Sequence, residues 1–363
     1  MKVAVYEGPN RPFRVEQRPV PEPGEDELLI KIGRCGICAT DLSIYTGAAG
    51  MQPGRVYGHE FAGEVVGLGA AVRDIAIGQR VTAQCVTGCG DCAECRRGHL
   101  VFCPEWRHHS PGGFGQFMTL PAREAYVLPP PLTLADGALV EPLAVGLRGV
   151  HLAGLDSQSR VLVLGAGAIG LSATFWARRL GAASITVAAS SSRRKRFALE
   201  MGATDFIDLS AEIGADRGPD GSADGGADNA PDNAPDSGAA TERSIRASLG
   251  GPPDVVVECA GVAGAMMHSM TWVRPKGTIV ALGYGLHPEQ VTTATALLKE
   301  LRVQFSMTYD REEYQQVIDT LAAGHLEPRC MITDTVPLEG LTDAITGLLD
   351  RAPQCKVMVD PWA

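Results

Sequence analysis

A strand-like run that ends in closely spaced glycines fixes much of this chain's architecture. Arg160-Val-Leu-Val-Leu leads into Gly165-Ala-Gly167-Ala168-Ile169-Gly170, and a stretch with helical character follows over residues 171–180. A G-x-G-x-x-G alone is weak. Between a strand and a helix, it is a turn that presents backbone N–H groups and a helix N-terminus to a pyrophosphate. Gly165 permits the tight turn, Gly167 lets the backbone approach phosphate, and Gly170 lets helix and strand pack closely. Ala168 and Ile169 complete the expected cofactor-binding turn. Further strands are expected at 184–188, 205–209, 255–259 and 278–283, alternating with helical stretches such as 193–201. Alternation of this kind builds an α/β fold with a doubly wound parallel sheet.

Ten cysteines in 363 residues do not read as a disulfide framework, which belongs to short secreted domains. Cys89, Cys92, Cys95 and Cys103 lie in one segment, with two, two and seven residues between them. Gly90, Asp91 and Ala93 allow tight turns, so four thiolates can converge on one ion at the ~2.3 Å bonds of tetrahedral zinc. A closed four-sulfur shell leaves no position for substrate, so this site is expected to be structural. The first two gaps, with Pro104 after Cys103, echo an iron–sulfur run, but the seven-residue gap is wrong for one.

A second constellation lies upstream. Cys38 follows a strand-like run at 28–32, and His59 and Glu60 come from a separate segment. A thiolate, an imidazole and a carboxylate make a mixed set, and mixed ligation that leaves one position open is the pattern of catalytic zinc. Singly, Cys38 reads as a buried small hydrophobe and His59 as a loop histidine. Together, beside a four-cysteine site, they read as ligands, and two zinc ions per chain are expected.

At roughly 150 residues per domain the length suggests two domains. The formal net charge of −10 argues against a nucleic-acid or anionic-membrane partner, and only Arg96, Arg97 and Arg107 lie near the cysteine lobe. The longest uncharged stretch, 161–177, contains glycines and hydroxyl residues and no aromatic belt, so no membrane span is expected. Residues 1–10 read as a short strand at Val3 and Val5 broken by Glu7, Gly8 and Pro9, not as a signal peptide, and a cytoplasmic location is expected. Residues 214–240 carry almost only Gly, Ala, Asp, Pro, Asn and Ser, which cannot bury enough to order themselves. They are expected to form a solvated loop ahead of a helix at 241–249. Trp106-Arg107-His108-His109 reads equally as a loop touching substrate and as an exposed one.

Several pieces in order carry a family resemblance: Cys38-Ala-Thr40-Asp41, Gly58-His59-Glu60-Phe-Ala-Gly-Glu-Val-Val66, the four-cysteine lobe, residues 112–122, Glu141-Pro-Leu-Ala-Val145 and residues 161–171. Outside 214–240, nearly the whole chain resembles the zinc-dependent medium-chain dehydrogenases. Glu60 after His59, with Glu141-Pro142-Leu143, looks most like the polyol, sorbitol and threonine dehydrogenase branch, with a similarity to cyclitol and aminocyclitol dehydrogenases. The resemblance implies a GroES-like β-rich catalytic domain, 1–145 plus 309–363, around a Rossmann cofactor domain, 146–308. It implies that Cys38, His59 and Glu60 bind catalytic zinc, with Glu141 a ligand directly or through water. Asp41 would hold the second nitrogen of His59, and Thr40 would pass a proton between the reacting oxygen and solvent. Cys35 would only pack. The implied reaction interconverts a secondary alcohol and a ketone on a small polar substrate such as a polyol, sugar or cyclitol. A threonine-type amino-alcohol dehydrogenase, or a catalytically idle binding relative, are the other readings. Homodimers or homotetramers are implied.

Cofactor choice follows from the second strand of the nucleotide unit. NAD-binding units of this type place an Asp or Glu at its end, for the ribose hydroxyls. Counting back from Gly202-Ala203 against the family pattern puts Ala189 there, followed by Ser190, Ser191 and Ser192, then Arg193, Arg194, Lys195 and Arg196. With the acid absent, Ser190, Ser191, Arg193 and Arg194 are expected to bind a 2′-phosphate, favouring NADP(H) over NAD(H).

Overall fold

The computed structural model describes residues 1–109, 111–210, 237–286, 288–350 and 352–363; the loop expected before residue 237 lies outside the described residues. The chain divides into two compact units, Met1–Arg148 with Met307–Ala363, and Gly149–Ser306. The helix Leu134–Ala153 carries the chain across the first boundary.

The Gly149–Ser306 unit is built on a six-stranded sheet. Its spatial order is Asp205–Asp208, Ser184–Ala189, Arg160–Leu164, Val255–Glu258, Thr278–Ala281 and Arg302–Phe305, and every neighbouring pair is parallel. Numbered along the chain this is 3-2-1-4-5-6, the doubly wound order whose reversal falls between Arg160–Leu164 and Val255–Glu258. Runs such as Val161–Leu164 and Val255–Val257 are buried, as strands covered on both faces must be. Asp254 holds the start of the two central strands together: it accepts from Arg160 Nε at 2.9 Å and from Arg274 Nε, and the two guanidiniums outweigh its burial and hold its carboxyl below the usual range.

Three helix starts differ from the sequence reading. The helix after the glycine-rich turn spans Ala168–Arg179, ahead of residue 171, and Gly170 lies in its first turn. A Cβ on Gly170 would sit 1.8 Å from Gly165 O, so only glycine lets the helix begin that close to the strand. The helix expected at 193–201 is a 3-10 turn, Ser192–Arg194, followed by the α-helix Lys195–Glu200. The helix expected at 241–249 starts earlier and runs Ser237–Leu249, so residues 237–240 are helical and not loop. Ala239 and Ala240 are strong helix formers and extend the helix backwards.

The other unit is β-rich. Its seven-stranded sheet centres on Glu27–Gly36, which pairs antiparallel with Glu60–Leu68, with Phe117–Pro121 and, at its far end, with Lys356–Val359. The core beneath it combines Val3, Tyr6, Phe13, Leu28, Ile30, Phe61 and Phe114 with Leu341 and Ile345. Among the described residues, no helix is long and apolar enough to cross a membrane.

Candidate functional site

The strand Glu27–Gly36 ends beside Cys38, and two of its neighbours deliver the remaining groups. Gly36 is in register with Glu60 on one side and with Met358 on the other, so Glu60 and the nearby Lys356 meet across it. A Cβ on Gly36 would lie 2.2 Å from Glu60 Oε2 and 3.2 Å from Lys356 Cδ, so a glycine is needed at this crossing. Cys38 caps the helix Ala39–Thr46, whose capping box is closed by Asp41: Cys38 N donates to Asp41 Oδ2 at 2.9 Å. The Cys38 thiol donates to Thr40 Oγ1 at 3.6 Å.

These turns bring one donor atom each from Cys38, His59 and Glu60 within 4.8 Å of one another. Burial would lower the His59 imidazole, but Cys38, Asp41 and Glu141 outweigh it and hold it well above its ordinary value. Such a concentration of anionic donors about one imidazole fits a bound cation. Glu60 is fully buried, and both its oxygens accept from Lys356 Nζ at 2.7 Å. Lys356 also donates to Ile37 O at 2.9 Å; despite its burial, Glu60 holds its ammonium above the usual lysine range.

Asp41 is placed differently from the sequence reading. One oxygen serves the helix cap, the other is buried without a hydrogen-bond partner, and no hydrogen bond joins it to His59. Burial pushes Asp41 up to about 6, with His59 pulling the other way. Its effect on His59 is therefore that of a nearby charge. The helix cap fixes Asp41 through Oδ2, and Oδ1 is left buried without a bond to the ring.

Glu141 sits in the helix Leu134–Ala153, one residue before Pro142, and is buried. It does not join the group whose atoms lie within 4.8 Å. Burial pushes its carboxyl up to about 7, with Glu60 adding to the rise and the charges of His59 and Lys356 opposing it. Tyr309, which sequence reasoning missed, is itself buried, and its hydroxyl accepts from Cys85 N at 3.1 Å. Lys356 was missed too. Its signal was a lone charge inside the apolar run Cys355-Lys-Val-Met-Val359.

The 106–109 segment is not a plain exposed loop. Arg107–His108 pairs with Val86–Thr87, and His109 is buried against Phe61 with Nε2 2.9 Å from Gln84 O. Burial lowers His109 to about 4, so its ring is neutral. Trp106 is 45% exposed and meets His108 edge-on.

Cys89, Cys92, Cys95 and Cys103 form the second close group. Cys89 Sγ and Cys95 Sγ lie 3.9 Å apart, close to the ~3.8 Å edge of a zinc–sulfur tetrahedron with 2.3 Å bonds and far beyond a disulfide. Backbone N–H groups of Cys89, Cys92, Cys95 and Glu105 each donate to a sulfur of the group at 3.4 Å. Those of Asp91 and Cys92 help hold the Cys89 thiol down at about 7.

In the parallel-sheet unit, Gly165 turns with φ +98° and Gly167 caps the helix Ala168–Arg179. Space above Gly167 is open: among the described residues outside its own turn, Arg194 Nη1 alone comes within 4 Å of where a Cβ would sit, at 3.9 Å. Arg194 Nη1 donates to Ala166 O at 3.4 Å, and Arg193 Nε donates to Ser191 Oγ at 3.0 Å. Ser190 is exposed just past Ala189, the last residue of its strand.

Two family models match this chain: the alcohol dehydrogenase GroES-like domain over residues 24–130 and the zinc-binding dehydrogenase over 168–323. A sorbitol dehydrogenase from Ovis aries is 30% identical over 349 residues, covering 94% of this chain and 91% of its own. The chain belongs to the zinc-dependent medium-chain polyol dehydrogenase family. It is an oxidoreductase with an alcohol dehydrogenase fold of two parts, one GroES-like and one Rossmann-type. An L-galactonate-5-dehydrogenase from Escherichia coli is 30% identical over 90% of this medium-chain dehydrogenase and 89% of its own length. A zinc-binding dehydrogenase from Sinorhizobium meliloti, solved bound to NADP, is 32% identical with a TM-score of 0.83 over 99% of both chains.

Proposed function

We propose that this dehydrogenase interconverts a secondary alcohol and a ketone on a polyol, sugar or cyclitol by hydride transfer with NADP(H), and that it holds two zinc ions. The convergence of Cys38, His59 and Glu60 carries the reading. The donor set, one thiolate, one imidazole and carboxylates, suits zinc with a position left for substrate. When bound, the metal supplies Lewis acidity to the substrate oxygen and the nicotinamide accepts or delivers the hydride. Cys38, His59 and Glu60 would hold that metal, with Glu141 joining directly or through water. Thr40 Oγ1, beside the Cys38 sulfur, would move the proton between substrate oxygen and solvent. Asp41 would support His59 by charge and hold Cys38 in place through the helix cap. Cys89, Cys92, Cys95 and Cys103 would hold the second, structural zinc.

On this reading residues 1–145 and 309–363 form the catalytic domain and 146–308 the cofactor domain. The backbone at Gly165, Gly167, Ala168, Ile169 and Gly170 would receive the pyrophosphate. Ser190, Ser191, Arg193 and Arg194 would receive the 2′-phosphate. Arg194 already reaches over the glycine-rich turn, which supports this choice. A copy of the chain would pair on the edge strand Arg302–Phe305, beside which Leu297, Leu298 and Phe305 are 70% or more exposed, giving a homodimer or homotetramer. Free cysteines throughout fit a reducing, cytoplasmic compartment.

The test is a panel of polyols, sugars, cyclitols, amino alcohols and their ketones, each assayed with NADP(H) and NAD(H). One charged hydrogen bond contributes roughly 1.5–3 kcal/mol, so Arg194→Ala should lower kcat/KM for the phosphorylated cofactor by about ten- to a hundredfold. It should leave NAD(H) nearly unchanged. Equal or better efficiency with NAD(H) in the unmodified enzyme would reverse the cofactor choice. Turnover confined to amino alcohols would reverse the substrate class.

A further inference from the structure

The turns at the point where the strand order reverses are tied together by one buried glutamate. Glu258 ends the strand Val255–Glu258, in register with Leu164 on one side and Ala281 on the other, and is 4% exposed. Its side chain folds back on the turn that follows: Ala260 N donates to Glu258 Oε1 at 2.7 Å, and Gly261 N donates to the same oxygen at 2.8 Å. Its main-chain oxygen accepts from Leu282 N at 2.7 Å and from Gly283 N at 2.9 Å, so the turn after the next strand is fastened to the same residue. Cys259 N donates to Leu164 O at 2.9 Å, which brings in the strand that leads to the glycine-rich turn.

The three turns approach so closely that no side chain fits between them. A Cβ on Gly283 would lie 2.3 Å from Gly261 N and 2.5 Å from Glu258 Oε2, and one on Gly165 would lie 3.1 Å from Ala260 N. A buried carboxylate is costly unless it is hydrogen-bonded, and here backbone N–H groups supply the bonds. Three valines precede Glu258, and a fourth apolar residue would suit a strand covered on both faces. The contribution of the carboxylate is therefore the shape of the turn beyond the strand.

A doubly wound sheet receives a dinucleotide outside the carboxyl ends of its strands, at the reversal of their order. With the pyrophosphate on the glycine-rich turn and the 2′-phosphate at Ser190, Ser191, Arg193 and Arg194, the nicotinamide half falls toward the turns after Val255–Glu258 and Thr278–Ala281. We infer that Glu258 is a positioning residue for hydride transfer: its carboxylate holds Ala260 and Gly261 against Gly165 and Gly283, and so fixes the surface on which the nicotinamide half rests. Glu258 acts through the backbone of its turn. The inference rests on the reading that a nicotinamide dinucleotide binds at the glycine-rich turn.

Glu258→Ala leaves two N–H groups without their acceptor and frees the turn. In the zinc-loaded enzyme it should lower kcat about tenfold, since a displacement on the order of 1 Å at a reacting centre costs up to about a hundredfold. In fluorescence titration it should weaken NADPH binding about tenfold, as expected if the turn holds its competent shape about a tenth of the time. Binding of adenosine 2′,5′-bisphosphate, which lacks the nicotinamide half, should be unchanged. Amide hydrogen exchange at Ala260 and Gly261 should speed up in the cofactor-free protein. Glu258→Gln, whose carbonyl oxygen can accept both bonds, should stay within about threefold of the parent in each measurement. Equal weakening of both ligands, unchanged NADPH binding, or a Gln variant as impaired as the Ala variant would each overturn the inference. If Glu258→Ala does not fold, Gly283→Ala forces the two turns apart while keeping the carboxylate, and it should show the same split between the two ligands. Absence of that split overturns the inference equally. A parent protein that prefers NADH moves the comparison to NADH and adenosine 5′-monophosphate, and one that binds neither dinucleotide removes the reading of the cofactor site instead. In either case amide exchange at Ala260 and Gly261 still decides whether Glu258 holds the turn.

Discussion

The two ligand clusters have nearly the same size and opposite construction. Cys89, Cys92, Cys95 and Cys103 lie along one short segment and are held by backbone N–H groups of that same segment, with two of the four thiols buried. Cys38, His59 and Glu60 come from a helix cap, a loop and a strand, and Glu60 is paired with Lys356 from beyond the parallel-sheet unit. The first cluster satisfies itself locally and presents only sulfur. The second is mixed in chemistry, is crowded by buried carboxylates at Glu60, Glu141 and Asp41, and depends on elements far apart in the chain. Local closure suits a structural ion. Long-range assembly suits a site that must keep a position open for substrate.

The largest expected effect separates the two outright. Cys38→Ala should lower kcat about a thousandfold or more, because Lewis acidity supplies several kcal/mol, yet leave a folded chain with one zinc. Cys95→Ala should lose the other zinc and depress the melting temperature by roughly 10 °C or more, since structural metal binding is folding free energy. Metal analysis with thermal melts checks both. A Cys95→Ala protein that melts like the parent would break the contrast.

Lys356→Met sharpens it from the other side. The substitution leaves Glu60 buried without its counter-ion, which costs about 3–5 kcal/mol. Adding Glu60→Gln should recover much of that in urea unfolding. If the double variant is as unstable as Lys356→Met, the ion pair is not what holds this corner together.

Asp136 tests the helix that carries Glu141. Its side chain is buried and accepts from Arg329 Nε at 2.7 Å and from Thr133; these outweigh burial and hold its carboxyl below the usual range. A depressed carboxyl adds stability that is full above the unfolded value of ~3.9 and is lost as pH falls through the lower folded value. Asp136→Asn should therefore cost about 1–2 kcal/mol at neutral pH, allowing for the exposure of Arg329. The difference from the parent should shrink toward pH 3. A pH-independent difference would show that the charge contributes nothing.

The smallest effect is at the lobe's entry. Thr87 Oγ1 donates to the buried Glu124 Oε1 at 2.8 Å, and Gly88 N donates to the same oxygen at 3.2 Å. Thr87→Val should cost about 1 kcal/mol with two zinc ions retained. A drop in zinc content would mean that the lobe is less self-sufficient than its N–H···S bonds imply.

What could be read from the sequence divides along the same contrast. Spacing alone gave the four-cysteine group, and the β-run with its glycines gave the parallel sheet, because both are written in neighbouring residues. Cys38, His59 and Glu60 were legible as a set from their mixed ligand chemistry beside a four-cysteine lobe, and the family pattern of their flanking segments added to it. Lys356 was not, since nothing near it states which distant carboxylate it will meet. Asp41 was read into contact with His59, but the local helix cap sets its orientation through Oδ2 and leaves Oδ1 buried without a partner. Helix starts at Ala168 and Ser237 were placed late because a glycine-rich turn and a polar, small-residue segment look unlike helix until the strand beneath them is present.

The Glu60–Lys356 pair spans 296 residues. A chain emerging from the ribosome therefore exposes Cys38, His59 and Glu60 long before the lysine exists. During that interval Glu60 has no cation with which to be buried. Only with the strand Lys356–Val359 do both of its oxygens gain a buried ammonium from which to accept. The corner that carries the mixed cluster is therefore among the last parts of the chain that can close.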